Sequence, residues 1–389
     1  MKPLQTLYFT QFISAFADNM ILFITLALIQ NKQLPDMYIG VVQACFLVAF
    51  VVLAPFVGAF ADKHSKSNVL LIGNAVKAVG IAMLLLGLDP AVSYAVVGIG
   101  AALYSPAKYG ILPALTHDEH ELLRANARIE GYTIFAILLG SVAGGLLAKW
   151  SLLGSMAVCL VFYLLSLALT LRIPRMAGNS SIRYGREMRR FFLDFARLLS
   201  DRTTRFSLIG TGSFWMTSAV VRLAVLAWIP AHLGLTSVDQ ISLLVAVIGI
   251  GIMLGAFLTP KLLPAGKYYN SLVFGLLLLL TLLAFPLVSS LPVTVALLLV
   301  VGFCGGVFIV PMNTVLQDEG QRKVGAGKTI AIQNFVENLL MLLGVGGYTQ
   351  ISAHGFSTDG SLIAIALILA LFVGYLALQR RRLLGGAAA

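Results

Sequence analysis

The sequence predicts an all-α membrane protein with twelve transmembrane helices in two pseudo-symmetric six-helix bundles. Its 389 residues are 59% hydrophobic and only 11% charged, and the mean hydropathy is +0.93. Apolar runs long enough for helices of about 20 residues recur along the whole chain, without the alternating pattern of an outer-membrane barrel. The longest polar interruption, Arg172 to Arg205, divides these runs into six and six.

The predicted spans follow the apolar runs in order from the N-terminus. The first run has only Lys2 as a charge before it and lacks a small-residue cleavage site, so we expect a retained helix rather than a signal peptide. The twelve spans are predicted at about residues 4–30, 39–61, 68–88, 91–113, 125–149, 152–173, 204–232, 238–261, 268–289, 292–316, 326–351 and 359–380.

The basic residues give the chain a net charge of +11, and their positions follow the predicted topology. With both termini in the cytoplasm, 22 of the 27 Lys and Arg residues lie on the inner side, and only Lys32 and Lys149 lie on the outer side. This is a strong positive-inside signal, and the basic loops suit an anionic inner leaflet. The charge therefore does not require nucleic acid as a partner. The three cysteines fall within spans without C-x-x-C spacing, so we expect no disulfide, metal or cofactor.

The polar interruption also sets the predicted domain boundaries. Residues 1–173 are expected to form the N-terminal six-helix bundle, residues 174–203 a cytoplasmic linker, and residues 204–389 the C-terminal bundle with a short cytoplasmic tail. Part of the linker, from about Glu187 to Leu199, has the pattern of an amphipathic helix.

Two short segments recur about 200 residues apart. "VVGIGAALYSP" at Val96–Pro106 aligns with "VVGFCGGVFIVP" at Val300–Pro311, and "GAFADK" at Gly58 aligns with "GAFLTPK" at Gly255. Each pair has the same hydropathic position in its half of the chain. Such a duplication predicts a six-plus-six transporter of the major facilitator type.

The segment "GAFADKHSK" resembles the cytoplasmic loop between the second and third helices of that superfamily. The matching residues are expected to act in gating: Gly58, Asp62, Lys63 and Lys66. The glycine permits close helix contact, and the aspartate can pair with a helix N-terminus or with an arginine of the neighbouring repeat half. The second copy has Thr259 where the first has Asp62, so only one half has the full motif. The alternative interpretation is a basic loop without a gating role.

Six ionisable residues lie within the predicted spans away from their ends, and each would be costly at a lipid-exposed helix centre. They are Asp18, Lys77, Lys108, Glu130, Arg222 and Glu337. Helical spacing places polar residues on one side of the first span (Gln11, Ser14, Asp18, Thr25) and of the eleventh (Gln333, Asn334, Glu337, Asn338). These stripes predict a hydrated lumen, in which Asp18 would pair with a cation such as Lys108 or Arg222. The alternative is that the charges form buried pairs that fix helix packing.

Four motifs resemble the bacterial lysophospholipid transporter family: "FISAFADNMILF" (Phe12–Phe23), "YSPAKYGIL" (Tyr104–Leu112), "ILLGSVAGG" (Ile137–Gly145) and "VGAGKTIAIQNFVEN" (Val324–Asn338). The resemblance covers nearly the whole chain in order, with Lys328 in place of an expected neutral Asn. It implies a multi-pass protein of the bacterial inner membrane that returns lysophospholipids, chiefly lysophosphatidylethanolamine, from the outer to the inner leaflet. It also implies an acyl-acyl carrier protein synthetase/acyltransferase as functional partner, and we expect the transporter itself to be a monomer.

On this reading the headgroup would meet charged and polar residues from both halves. The expected substrate-binding residues are Asp18, Asn19, Lys77, Lys108, Glu130, Arg222, Asn334 and Glu337. The acyl chain would lie among Phe12, Phe16, Phe135 and Phe214, with Gly140, Gly144 and Gly145 allowing a lateral opening between helices.

Two other functions were compared with this one. A proton-coupled small-molecule or drug exporter would use Asp18 or Glu337 as its proton carrier, and the sequence leaves this alternative open. A membrane-embedded acyltransferase would need a base near its nucleophile, but all five histidines fall at span ends or in loops. We therefore do not expect an enzyme.

Overall fold

The computed structural model describes residues 3–35, 37–235, 238–264, 266–354 and 356–385, so Lys2 of the topology count and the last four residues lie outside the described part of the chain. Within these ranges the chain forms fourteen α-helices. They are α1 (Pro3–Asn31), α2 (Met37–Lys63), α3 (Lys66–Leu85), α4 (Pro90–Gly110), α5 (Leu112–Leu115), α6 (Glu119–Trp150), α7 (Leu152–Thr170), α8 (Tyr184–Ser200), α9 (Arg202–Leu233), α10 (Val238–Leu262), α11 (Leu272–Ala284), α12 (Leu291–Lys323), α13 (Ala326–Ala353) and α14 (Thr358–Gly385). Two short 3₁₀ turns, Tyr268–Ser271 and Phe285–Leu287, flank α11.

Twelve segments of the described chain are long and apolar enough to cross a membrane, which confirms the predicted number of spans. Several helices run further than the hydropathy predicts. Helix α12 has 33 residues and continues to Lys323, seven beyond the predicted end, and α6 begins at Glu119 rather than at 125. A helix of this length reaches about 50 Å, whereas the hydrocarbon core is about 30 Å thick, so its polar end lies outside the apolar layer. The amphipathic segment of the linker is α8, which begins three residues before the predicted start.

Side-chain caps explain where several helices begin. Asp89 accepts hydrogen bonds from the backbone N–H groups of Ala91 and Val92 at the start of α4. Pro90, the first residue of this helix, has no backbone N–H and therefore leaves no donor unsatisfied. Asp201 caps α9 in the same way. Helix α9 ends at Leu233 and is followed by Gly234, whose φ of 63° lies in the left-handed region that glycine adopts without a steric penalty.

The chain divides into two compact units that do not follow a single cut in the sequence. The first comprises Met1–His117, Phe135–Ala196 and Gly320–Phe335, and the second comprises Asp118–Ile134, Arg197–Glu319 and Val336–Ala389. Each unit has its own apolar core, centred in the first on side chains such as Met20, Ile81 and Tyr163, and in the second on Trp228 and Phe285. The domain boundaries at 173 and 204 remain a prediction about the organisation of the sequence.

The aligned segments Val96–Pro106 and Val300–Pro311 make similar helix contacts in the two halves of the chain. Gly98 on α4 packs against α2, where an added Cβ would lie 3.0 Å from the Cα of Phe46. Its counterpart Gly302 on α12 packs against the carbonyl of Ile248 on α10. In both halves a glycine therefore allows the fourth span to approach the second closely. The pair Gly58 and Gly255 does not behave alike, because Gly58 contacts α13 whereas Gly255 contacts α12.

Candidate functional site

The first compact unit contains an ion pair inside the membrane between Asp18 on α1 and Lys77 on α3. The Nζ of Lys77 lies 2.8 Å from Oδ2 of Asp18, and the hydroxyl of Tyr163 on α7 donates a 2.9 Å hydrogen bond to Oδ1. The side chain of Lys77 is 1% exposed, whereas that of Asp18 is 20% exposed. The pair is thus closed on the lysine side and open on the carboxylate side.

A polar network surrounds Lys77 and satisfies its ammonium group. Lys77 also donates a 3.0 Å hydrogen bond to Oγ of Ser14, and its Nζ lies 4.6 Å from the centroid of the Tyr104 ring. Ser14 in turn donates to the side-chain oxygen of Asn74 at 2.9 Å, and Asn74 donates to Ser166 of α7 at 2.9 Å. These hydrogen bonds join α1, α3 and α7. Such bonds matter for helix association in lipid, because the hydrophobic effect between helices is weak there.

The partner of Asp18 differs from the prediction. The sequence suggested Lys108 or Arg222, but the structure pairs Asp18 with Lys77. Which of several cations meets a carboxylate depends on how the helices pack, and the extensive contact of α1 and α3 with α7 brings Asp18 and Lys77 together.

The two predicted polar stripes are withdrawn from lipid. On α1, Gln11, Ser14 and Thr25 are all buried. On α13 the four stripe residues, Gln333, Asn334, Glu337 and Asn338, are buried too. Within the first unit, Asn334 donates a 2.9 Å hydrogen bond to Oγ of Ser105 on α4.

The second unit contains a polar ladder between α6 and α12. Asn126 and Gln317 exchange two amide hydrogen bonds of 3.1 and 2.8 Å. One turn further along, Asn313 donates a 3.0 Å hydrogen bond to the carboxylate of Glu130, which is 3% exposed. Both pairs step by four residues on each helix, so they fix one antiparallel register of α6 against α12.

The remaining predicted substrate residues have diverse surroundings. Lys108 is buried, with its Nζ 4.0 Å from the centroid of the neighbouring Tyr109 ring. Glu337 is buried, and Arg222 on α9 is exposed. Asn19 is half-buried and donates to the carbonyl of Ala15 within its own helix.

The aromatic residues expected to line an acyl slot are partly brought together. Phe12 lies between Phe16 and Phe135, with ring centroids 6.3 and 5.8 Å away, in the first unit. Phe214 belongs to the second unit and packs against Trp215.

Two of the glycines expected to allow a lateral opening between helices instead lie where two helices pack closely. An added Cβ at Gly140 would collide with the carbonyl of Phe16, and one at Gly144 would lie 2.5 Å from that of Met20, so α6 packs tightly on α1 here. At these two positions the small residues serve close packing in this structure, and the lateral opening there stays a prediction. At Gly145 an added Cβ would meet no atom of another part of the described chain within 4 Å.

The predicted gating aspartate caps a helix from another part of the chain. Asp62, at the end of α2, accepts hydrogen bonds from the backbone N–H groups of Gly327 and Lys328 at 2.7 and 3.1 Å. These are the second and third residues of α13, whose N–H groups have no partner within the helix. The expected pairing with a helix N-terminus is thus present. Gly58 makes the approach possible, since a Cβ there would lie 2.7 Å from the Cα of Lys328.

The two lysines of the motif have different contacts. Lys66 donates a 2.6 Å hydrogen bond to the same Asp62 carboxylate, so the aspartate has one cation and one helix terminus as partners. Lys63 lies over the ring of Tyr184, the first residue of α8, with its Nζ 4.3 Å from the centroid. Partial burial raises the pKa of the Tyr184 phenol above its ordinary value.

Lys328, where the resemblance predicted a neutral Asn, joins α13 to α8. Its ammonium forms an ion pair with Glu187 and lies 3.5 Å from the carboxylate of Asp194. All three side chains are less than one-fifth exposed. The charge of Lys328 near the N-terminal end of α13 is therefore compensated by α8 of the linker.

Sequence reasoning missed the residues that orient Asp18. Tyr163, Ser166 and Thr170 lie on one face of α7 at helical spacing, and Asn74 lies one turn before Lys77. A polar stripe in an apolar span was the signal that could have identified them. The ladder of Asn126, Gln317 and Asn313 was missed because uncharged amides do not stand out in a search for ionisable residues.

Comparison with known proteins agrees with this architecture. The chain matches the Major Facilitator Superfamily over residues 7–345. The lysophospholipid transporter LplT of Yersinia pestis (strain Pestoides F) is 41% identical over 348 residues, which cover 89% of this chain and 86% of that protein. The LplT of Yersinia pseudotuberculosis serotype O:3 (strain YPIII) has the same identity and coverage.

Solved structures show the same fold at low identity. The human organic anion transporter MFSD10 (TETRAN) gives a TM-score of 0.78 at 16% identity, covering 97% of this chain and 100% of that one. The transporter FucP in its outward conformation gives 0.78 at 14% identity, covering 97% and 99%. The protein is a multi-pass transporter of the bacterial inner membrane and not an enzyme. The chain belongs to the lysophospholipid transporter family of the major facilitator superfamily.

Proposed function

We propose that this chain moves lysophospholipids, chiefly lysophosphatidylethanolamine, from the outer to the inner leaflet of the bacterial inner membrane by alternating access. Membership of a family whose curated relatives are named lysophospholipid transporters supports the substrate class. The observation that carries the headgroup assignment is the Asp18 carboxylate, kept within the membrane by a buried lysine and still partly exposed.

The chemistry of Asp18 suits an ammonium headgroup. Its two oxygens each accept one hydrogen bond, from Lys77 and Tyr163, and a carboxylate has about four lone-pair sites, so further donors can bind. In this proposal Asp18 receives the substrate ammonium, and Lys77, which is enclosed, acts by holding the Asp18 carboxylate in its orientation. Asn19 lies beside it on α1.

The phosphate and the acyl chain need other surroundings. Arg222 is exposed on α9 and can offer a guanidinium fork to phosphate. Lys108 is separately proposed as a cation that binds substrate. Glu130, Asn334 and Glu337 are also proposed as substrate-binding residues. The acyl chain is proposed to run along Phe12, Phe16 and Phe135.

Gating is assigned to the contact between the α2 end and the α13 start. Asp62 joins a helix of the first sequence half to one of the second on the side predicted to be cytoplasmic, with Gly58, Lys63 and Lys66 supporting it. Breaking this contact is proposed to accompany opening toward the cytoplasm. The transporter is proposed to work as a monomer.

The delivered lysophospholipid is proposed to be reacylated by an acyl-acyl carrier protein synthetase/acyltransferase at the inner leaflet. Spheroplasts given labelled lysophosphatidylethanolamine from outside test the whole scheme. With transporter and acyltransferase both present, the label should appear in diacyl phosphatidylethanolamine; with the transporter alone it should accumulate unchanged. Equal conversion in cells lacking the transporter would contradict the proposal. Collapse of uptake with the proton gradient alone would favour a proton-coupled carrier.

A further inference from the structure

The second unit contains a surface groove that lies away from every residue assigned to the substrate. Helices α11 and α14 enclose an open groove of about 480 Å³ between them. This volume falls within the range of small-molecule sites, about 300–1,000 Å³. None of the proposed substrate residues lies on either helix.

The groove has an apolar body. On α11 its lining residues step by three and four, as do those on α14, so each helix contributes one face. Val273 and Leu276 on α11 are about half exposed. At Gly374 on α14 an added Cβ would meet no atom within 4 Å, so the floor of the groove is wide there. An apolar channel of this kind in a bilayer suits an acyl chain.

The groove ends in two arginines. Arg380 and Arg381 of α14 line the end predicted to face the cytoplasm. Arg380 donates a 3.2 Å hydrogen bond to Asn270 and lies over the ring of Tyr269, 5.7 Å from its centroid. Both partners are neutral, so they orient the guanidinium without neutralising it.

Arg380 also has an unused donor. Among the described residues its Nε is buried and has no hydrogen-bond partner. A buried donor without a partner is costly, and an anionic oxygen at this place would satisfy it. A guanidinium fork matches phosphate geometry, which a second adjacent arginine reinforces.

We propose that this groove binds one diacyl phospholipid of the cytoplasmic leaflet with a net negative headgroup, such as phosphatidylglycerol, as a resident lipid. The phosphate meets Arg380 and Arg381, and an acyl chain lies between α11 and α14. The lipid is distinct from the transported substrate, since it contacts neither α1 nor α3.

Native mass spectrometry of the delipidated full chain, titrated with phosphatidylglycerol, tests the proposal. The wild type should retain one lipid at a concentration at which phosphatidylcholine with the same chains is lost. Arg380→Gln/Arg381→Gln should raise the half-saturating concentration about tenfold or more, because charge-assisted hydrogen bonds are lost. Arg381→Gln alone, at an exposed residue, provides a milder variant with a smaller shift in the same direction.

A second pair of variants tests the groove without altering charge. Gly374→Leu fills the space for the acyl chain, whereas Gly346→Leu adds the same side chain at another exposed helical glycine, where an added Cβ also meets no atom within 4 Å. Only Gly374→Leu should weaken retention of phosphatidylglycerol. Equal retention in Gly374→Leu and Gly346→Leu, or in wild type and the arginine variants, would overturn the proposal. Equal retention of lysophosphatidylethanolamine would overturn it too, since the groove would then take substrate.

Discussion

Asp62 and Gly327 lie 265 positions apart in the chain, and Oδ1 of Asp62 accepts a 2.7 Å hydrogen bond from the backbone N–H of Gly327. The carboxylate thereby supplies to α13 the capping group that a helix usually finds in its own preceding residue. A cap supplied from a distance can be removed by moving one helix, which a local cap does not allow.

Asp62→Ala should shift the protein toward the cytoplasm-open form. Loss of a capping carboxylate costs about 1–2 kcal/mol, which corresponds to a roughly fivefold to thirtyfold change in the equilibrium. Labelling of Ala331→Cys, a buried position on α13, measures the opening in a cysteine-free background. Asp118→Ala is the matched control, because Asp118 caps α6 locally through the N–H of Glu121. If both variants label at the same rate, Asp62 has no gating role.

Asp18→Asn should abolish most transport of lysophosphatidylethanolamine and also destabilise the protein. The asparagine leaves the charge of Lys77 buried without a counter-charge, at a cost of roughly 3 kcal/mol, the lower end for buried pairs because Asp18 is partly exposed. Asp18→Asn/Lys77→Met should recover the melting temperature but not the transport. Recovery of both would reduce Asp18 to a packing residue. Asn19→Ala is the neighbouring control for stability.

The headgroup dependence of Asp18→Asn separates its two possible roles. If Asp18 contacts the ammonium, the variant should transport lysophosphatidylglycerol, which lacks an ammonium, with a smaller loss than lysophosphatidylethanolamine. The difference between the two losses corresponds to at most about 2–5 kcal/mol of binding free energy. Equal loss for both lipids would indicate that the Asp18–Lys77 pair serves the conformational cycle instead.

Lys328→Ala should loosen α8 from α13. The change leaves Glu187 and Asp194 close to each other without their cation, so amide hydrogen exchange in α8 should rise about fivefold to thirtyfold, for a loss of about 1–2 kcal/mol. Arg189→Ala, on the exposed side of the same helix, should change little. Lys328→Arg, which keeps the positive charge beside Glu187 and Asp194, should retain most of the protection. Equal exchange in Lys328→Arg and Lys328→Ala would contradict an ionic origin.

The contact of Tyr38 with Asp89 should make stability depend on pH at both extremes. Burial opposes ionisation of Asp89, but hydrogen bonds from Tyr38 and two backbone amides outweigh it and lower the pKa. Its contribution is present above the unfolded pKa of about 3.9 and is lost as pH falls through the lower folded value. Burial and the Asp89 contact raise the pKa of Tyr38, so its contribution is present below about 10 and is lost as pH rises through the higher folded value.

Melting curves of wild type and Tyr38→Phe in detergent check this window. The difference should be on the order of 0.5 kcal/mol between these limits, since Asp89 is exposed and screened, and should shrink outside them. A constant difference from pH 3 to pH 11 would contradict the assignment.

The spans could be predicted from the sequence because a bilayer demands about 20 apolar residues per crossing, a requirement visible in composition alone. Their ends could not, because α12 remains helical through Asp318 and Glu319 after the apolar run stops. The helix-capping role of Asp62 followed from a motif at a helix end. The pairing of Asp18 with Lys77 did not, since helical periodicity gives the face of a residue but not the helix that it meets.

The Asp18–Lys77 pair also bears on how the protein is inserted during synthesis. Asp18 leaves the ribosome 59 residues before Lys77, so α1 has an uncompensated carboxylate until α3 is made. Each charge alone costs about 2.5–3.5 kcal/mol at a helix centre on insertion scales. Helix α2, made in between, has no charge before Asp62 and can enter lipid by itself. The first three helices therefore form the smallest segment that can leave the translocon with its charges matched, and α1 would remain beside the channel until α3 arrives.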